Sequence, residues 1–230
     1  MTVCYRASGF LKERGINMKT KALLFDFDGT LLDTNELIVQ TFMHIFDEKF
    51  PGQYSTQDCL KFIGPSLKQT FDELTPGETE EMIKKYKEWN ALHHDELVKG
   101  YDAVVETLEQ LHTDGVKLAI VSTKSQEGLA RGMKALGAGQ LFEVIIGLEE
   151  VTHVKPHPEP VLLALEILGV SKEEAIMIGD NSHDIEGGKN AGVRTAGVAW
   201  SAKGESYLQQ FNPDYMLHHM SDLIEIVKGD

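Results

Sequence analysis

Asp26 and Asp28 stand two residues apart at the end of an apolar run, KALLFDFDGTLLDT, spanning residues 21–34. Extended backbone points alternate side chains the same way, so both carboxylates would share one small volume. Like charges that close repel, and burying them without partners costs several kcal/mol each. Something cationic must meet them. Three more polar sets follow apolar runs in the same fashion. Ser122 ends KLAIVS, with Thr123 and Lys124 behind it. Lys155 lies in HVKPHPEP, which Pro156, Pro158 and Pro160 hold extended. Asp180 and Asp184 close AIMIGDNSHD.

Each set has a plain structural role open to it. Asp-Gly is a turn signal, Ser122 suits a helix cap or turn, Lys155 alone is a solvated loop lysine, and GDNSHD could be a turn with an N-cap. Together, four carboxylates and one lysine at the carboxyl ends of parallel strands form a site for a divalent cation and phosphate. Hard oxygen ligands, with waters filling the remaining positions, favour Mg2+ over soft metals. Nothing resembles a zinc set: Cys4 and Cys59 are isolated, and adjacent His93 and His94 on a helix would point about 100° apart. Phosphoryl transfer needs an in-line nucleophile, charge neutralisation and a proton shuttle. Mg2+ and Lys155 supply the neutralisation, while the Ser122 hydroxyl and loop amides hold oxygens. The carboxylates remain for nucleophile and for acid or base. Thr30 and Thr123 join Ser122 and Lys155 as candidate substrate-binding residues.

These positions require strands that end together at one sheet edge. Ala22, Leu23, Leu24, Phe25 and Phe27 have the near-continuous hydrophobicity of a strand buried on both faces. The pattern then turns helical. Asp33 and Glu36 are spaced as an N-cap and its N3 partner ahead of ELIVQTFMHIFDEKF, FPGQY is a turn, and Ser55 can cap a short helix through Phe62. The loop IGPS precedes a helix LKQTFDEL. Thr75, Pro76 and Glu78 read as cap, first helical position and box partner of a helix running to about Val98. Met82, Tyr86, Trp89, His93 and Leu97 form one stripe on it. No strand is expected between residues 33 and 98.

Beyond Gly100, helices at 102–113, 125–136, 158–168 and 183–190 alternate with strands KLAIVS, EVIIG, AIMIGD and RTAGVAW. Such alternation predicts an α/β fold, a doubly wound, Rossmann-like parallel sheet core with an inserted α-helical domain. The core takes residues 18–32 and 99–230, and the insert residues 33–98. Residues 1–17 read as a loose extension, with Met18 directly before the first strand.

At 230 residues and 42% hydrophobic, the chain can build this core plus a smaller insert. Its formal net charge of -14 and the lack of any Lys/Arg cluster argue against nucleic-acid binding. An anionic substrate must be welcomed by local charges, because the global field opposes it. Two cysteines suit a reducing cytoplasm, and neither a membrane span nor a signal-peptide core is expected.

DFDGT, the strand-ending Ser122, Lys155 and GDNSHD resemble, in order, the four motifs of the haloacid dehalogenase superfamily. The insert resembles that superfamily's C1-type cap. The resemblance implies that Asp26 is a nucleophile forming an aspartyl-phosphate, and that Asp28 protonates the leaving group and then activates water. It implies Mg2+ on the Asp26 carboxylate, the Asp28 backbone carbonyl and Asp180, with Asp184 orienting Lys155 or a metal-bound water. Within the superfamily, TNELI, FPGQY, FIGPSL, NALHHDELV, EAIMIGDNSHD and AGVRTAGVAW resemble the bacillus-type inorganic pyrophosphatases, close to phosphoglycolate phosphatases. That resemblance implies Mg2+-dependent hydrolysis of pyrophosphate, linked to recycling pyrophosphate from dephosphorylation of a serine-phosphorylated phosphocarrier protein. The extension departs from it, since those chains start near Met18.

A phosphoglycolate phosphatase or hexose-phosphate mutase would share every catalytic residue, because the cap decides the substrate. A phosphorylation-sensing receiver domain also uses Mg2+, a strand-end Asp, a Ser/Thr and a Lys, but it lacks the second aspartate and the helical insert. In the cap, His93 falls on the apolar stripe, and His94 one step off it. Lys68, behind the Gly-Pro turn of FIGPSLK, is the candidate contact for a second phosphate. A monomer or a homodimer is compatible with the sequence.

Overall fold

The computed structural model describes residues 20–229. The expectation for residues 1–17, and Cys4 with it, lies outside them. The chain opens with β1 (Ala22–Phe25) and the two-residue β2 (Leu32–Asp33). Four helices follow: α1 (Asn35–Lys49), α2 (Thr56–Cys59) with a 3-10 turn through Phe62, α3 (Leu67–Leu74) and α4 (Thr79–Leu97). The return runs through β3 (Lys99–Gly100), antiparallel to β2. Alternation then begins with α5 (Val104–Thr113), β4 (Lys117–Val121), α6 (Gln126–Leu136) and β5 (Val144–Ile146). It continues with α7 (Glu159–Leu168), β6 (Ala175–Gly179), α8 (Ser182–Ala191) and β7 (Arg194–Val198). The chain closes with α9 (Glu205–Gln209), β8 (Tyr215–Leu217) and α10 (Asp222–Gly229).

Six strands form one parallel sheet in the order β5-β4-β1-β6-β7-β8. β1 lies near its centre, and all four of its residues are fully buried. That explains its unbroken hydrophobicity: both faces are covered. Alternate residues serve opposite faces. Leu23, Phe25, Leu118, Ile120, Ile176 and Ile178 share a cluster with Leu108 and Leu111 of α5 and Leu223 and Val227 of α10. Leu24, Ala119, Val121 and Met177 join Val161, Ala164 and Leu165 of α7 on the other face. A third cluster, around Phe42, Phe46, Phe71, Met82 and Tyr86, belongs to α1–α4 alone. Among the described residues no helix is long and apolar enough to cross a membrane.

Several local expectations need correction. The N-cap of α1 is Thr34, not Asp33, whose carboxylate instead accepts from the Asn35 amide and side chain. Thr75 does not open α4. Its hydroxyl donates to the Phe71 carbonyl at the end of α3, and Glu78 is the N-cap of α4. The hydroxyl was already committed to the preceding helix end. On α4 the buried positions are Met82, Tyr86 and His94, four- and eight-residue steps, while Trp89 and His93 are only half-buried and stack on each other. His94, not His93, therefore faces inward. The β2–β3 ribbon was not foreseen, nor were α9, β8 and α10.

Candidate active site

The sheet register assembles the first part of the site. Phe25 pairs with Ile120 on one side and Ile178 on the other, so Asp26 leaves β1 between the ends of β4 and β6. Ser122 and Asp180 each come one residue beyond Asp26 in that register, flanking it. Lys155 arrives from the loop after β5, the strand beyond β4. Its ammonium donates to the Val121 carbonyl (2.7 Å), to Asp26 Oδ1 (3.0 Å) and to Asp184 Oδ1 (2.6 Å). Asp184 sits in the first turn of α8, where its other oxygen accepts from the Asn181 amide in a reciprocal capping box. Asp184 thus holds Lys155 by one oxygen and its own helix by the other.

Asp26, Lys155, Asp180 and Asp184 are all buried. Burial pushes the Asp26 carboxyl up to about 6, against the pull of Lys155 and with help from Asp184 and Asp28. Asp180 is raised as well, by burial first and then by Asp184 and Asp26. The Lys203 charge also pulls on Asp180, but two ammoniums do not neutralise three buried carboxylates. Lys155 reaches Asp26 and Asp184 but not Asp180. Oxygens of Asp26, Asp180 and Asp184 all lie within 4.8 Å of one another. A hard dication fits this under-compensated oxygen cluster, and Mg2+ suits it better than a soft metal. The backbone leaves room for it: Gly29 has φ +76°, and a Cβ there would fall 2.5 Å from Asp180 Oδ2.

Asp28 lies apart from that cluster and faces the cavity. Thr34 donates to its Oδ1 at 2.8 Å, and Lys124 reaches both oxygens, at 2.7 and 2.9 Å. The two neighbouring carboxylates thus meet different lysines, Asp26 the Lys155 that it shares with Asp184 and Asp28 its own Lys124. Ser122 is buried, and its Oγ accepts from the Lys124 amide.

The cap loop closes over this floor. Asn181 Nδ2 and Lys203 Nζ both donate to the Ile63 carbonyl, at 2.7 and 2.9 Å, and the Thr123 hydroxyl donates to the Gly64 carbonyl at 3.1 Å. Gly64 has φ +109°, and a Cβ there would lie 2.4 Å from Asn181 Nδ2. Burial lowers the Lys203 ammonium from its ordinary value. The resulting cavity, about 340 Å³, has Asp26, Asp28, Ser122, Lys124 and Asp180 among its lining residues, with Ile38, Phe42, Phe62, Ile83 and Tyr86 as an apolar wall.

Thr123 lines the cavity, but its hydroxyl serves the cap loop. Thr30 is fully buried, does not line the cavity, and its hydroxyl finds no hydrogen-bond partner. Lys68 lines the cavity from the exposed side, its ammonium paired with Asp72 at 2.5 Å. Neither His93 nor His94 lines it. Sequence reasoning gave no role to Thr34, Asn181 or Lys203, and named Lys124 only in passing. Asn181 was visible inside GDNSHD. Lys203 carried no local signal.

A family model described as haloacid dehalogenase-like hydrolase matches residues 23–198. The chain belongs to the haloacid dehalogenase-like hydrolases. Pyrophosphatase PpaX of Halalkalibacterium halodurans is 50% identical over 210 residues, covering 91% of this chain and 98% of that protein. Pyrophosphatase PpaX of Bacillus cereus is 48% identical over 210 residues, covering 91% of this chain and 97% of its own length. A solved haloacid dehalogenase-like family hydrolase from Streptococcus pneumoniae superposes with a TM-score of 0.79 at 24% identity, covering 90% of this chain and 98% of that one. That last likeness speaks to the fold: a parallel sheet of the hydrolase family with helices about it.

Proposed function

We propose that this hydrolase cleaves inorganic pyrophosphate to two phosphates, with Mg2+ as cofactor, through a phosphoryl group carried on Asp26. The observation that carries the chemistry is the pair of strand-end carboxylates held by different lysines, Asp26 by Lys155 and Asp28 by Lys124. The substrate is supported by the near-half identity, over almost the whole chain, to proteins named pyrophosphatase. When bound by Asp26, Asp180 and the Asp28 backbone carbonyl, Mg2+ supplies charge neutralisation on the transferring phosphoryl group.

The side chains divide the remaining work. An Asp26 oxygen attacks phosphorus, forming a P–O bond as the bond to the bridging oxygen breaks. The departing phosphate takes that electron pair and receives a proton from Asp28. Asp28 then accepts a proton from water, whose oxygen attacks the phosphorus, and the Asp26–phosphorus bond breaks to return the carboxylate and the second phosphate. Lys155, fixed by Asp184 and the Val121 carbonyl, meets negative charge on the group in transfer. The clasp on Ile63 and Gly64 keeps the cap loop over the site. A reducing cytoplasm and a monomeric or homodimeric enzyme complete the proposal.

The apolar wall from Ile38 to Tyr86 favours a second reading, a small organic phosphomonoester such as phosphoglycolate. A side-by-side assay at saturating Mg2+ separates the two. Pyrophosphate is expected to show the highest kcat/KM among pyrophosphate, phosphoglycolate and sugar phosphates, with activity silenced by EDTA and restored by Mg2+. A higher kcat/KM for phosphoglycolate would overturn the substrate and leave the mechanism standing.

A further inference from the structure

Lys124 is placed where a leaving group must pass. Its side chain is only 13% exposed, and its ammonium spans both oxygens of Asp28. Its stem lies against Gly128 of α6, where an added Cβ would come within 2.9 Å of the Lys124 Cγ and Cε. The missing side chain at Gly128 is what lets the lysine lie along the helix and aim at the site. Whatever oxygen Asp28 protonates must lie within hydrogen-bond reach of Asp28, and so close to this ammonium. An alcohol departing there offers the ammonium little. A departing phosphate offers charged oxygens, to which a strong charge-assisted bond can form. Lys68, by contrast, is 65% exposed and tied to Asp72.

We infer that Lys124 is the specificity-determining residue for an anionic leaving group: besides pairing with Asp28, its ammonium binds the departing phosphate of pyrophosphate. This assigns to the core the second-phosphate contact that the sequence suggested for Lys68 in the cap. The inference rests on the pyrophosphatase reading, and its test separates the two.

The experiment compares parent, Lys124→Met, Lys124→Gln and Lys124→Arg on pyrophosphate and on ethyl phosphate, whose alcohol leaves uncharged. Calorimetric binding of methylenediphosphonate and of orthophosphate, both with Mg2+, accompanies the kinetics. In the Met and Gln variants, kcat/KM for pyrophosphate should fall about ten- to hundredfold further than for ethyl phosphate. Methylenediphosphonate affinity should fall by a similar factor, orthophosphate affinity by less, and Lys124→Arg should recover most of both losses. Gln can still donate to Asp28 without carrying charge, so it tests charge even if the Met variant fails to fold. A loss on ethyl phosphate equal to or larger than that on pyrophosphate would show that Lys124 acts only through Asp28, and would overturn the inference. Unchanged methylenediphosphonate affinity would overturn it too. A parent that prefers ethyl phosphate would instead refute the pyrophosphatase reading.

Discussion

Asp26 is the residue on which the proposed chemistry turns, and its surroundings set two expectations. Asp26→Asn removes the attacking oxygen's charge while keeping nearly the same shape, so turnover should vanish with the fold intact; activity within tenfold of the parent would remove it as nucleophile. Asp28→Asn should lose roughly 10²–10⁴-fold, the usual worth of one acid/base group. The raised Asp26 carboxyl, at about 6, adds a pH signature. A carboxyl raised by folding binds its proton more tightly in the native state than in the unfolded chain. Its stabilising contribution is therefore full below the unfolded value and is lost as pH rises through about 6. Asp180 shifts in the same direction. Mg2+ competes with those protons, so it should raise the melting temperature more at about pH 7.5 than at about pH 5. An equal or smaller rise at the higher pH would mean that these carboxylates are not the metal's ligands.

Among elements, the loop between the 3-10 turn and α3 carries the most consequence per residue. Two of its carbonyls are held by three core side chains, and its Gly64 admits no Cβ beside Asn181. Gly64→Ala must strain a positive φ and displace the Asn181 amide. The loop should lift, lowering kcat/KM for pyrophosphate about ten- to hundredfold through misplacement of the cap. The melting transition should move little, because the loop touches no cluster of the sheet core. Stopped-flow kinetics and a thermal melt on the same preparation check both halves. A large stability loss with unchanged kinetics would make Gly64 a folding residue only. Of this arrangement, the sequence showed the Gly-Pro turn and the helix that follows it; the structure adds Ser66 as the cap of α3, paired with Gln69. The partners of the loop were not legible, because Asn181 lies 118 residues from Ile63 and Lys203 lies 140 away.

For the whole molecule, the separation of hydrophobic clusters matters most. The sheet owns two and the helices α1–α4 own a third. The chain enters and leaves those helices through one antiparallel ribbon, with Asp33 opposite Lys99. A short Gly/Ser linker replacing residues 36–97 should therefore span the gap and leave the sheet to fold alone. Circular dichroism and a cooperative melt are expected to survive, while kcat/KM falls on both pyrophosphate and ethyl phosphate as the roof is lost, with Lys124 keeping the preference for the anionic leaving group. Failure of this core to fold would show that the helices also stabilise the sheet. The net charge of -14 makes the local lysines matter at this scale as well, since they must overcome a field that repels the substrate.

What the sequence determined by itself is the part written in short-range periodicity. Buried strands such as β1 and β6 are continuous apolar runs, and a parallel sheet puts the residues that follow such runs at one edge. Asp26, Ser122 and Asp180 could be placed there from pattern alone. Lys155 followed from its loop. The tertiary structure decided which groups meet across the chain: Lys124 with Asp28, 96 residues apart, and the core side chains with the cap loop. It also turned His94 inward and gave the Thr75 hydroxyl to α3, because helix packing, not local spacing, chooses the buried face. Local sequence fixes where a side chain leaves the backbone. Only the packed fold, by bringing distant segments within hydrogen-bond distance, decides what it finds there.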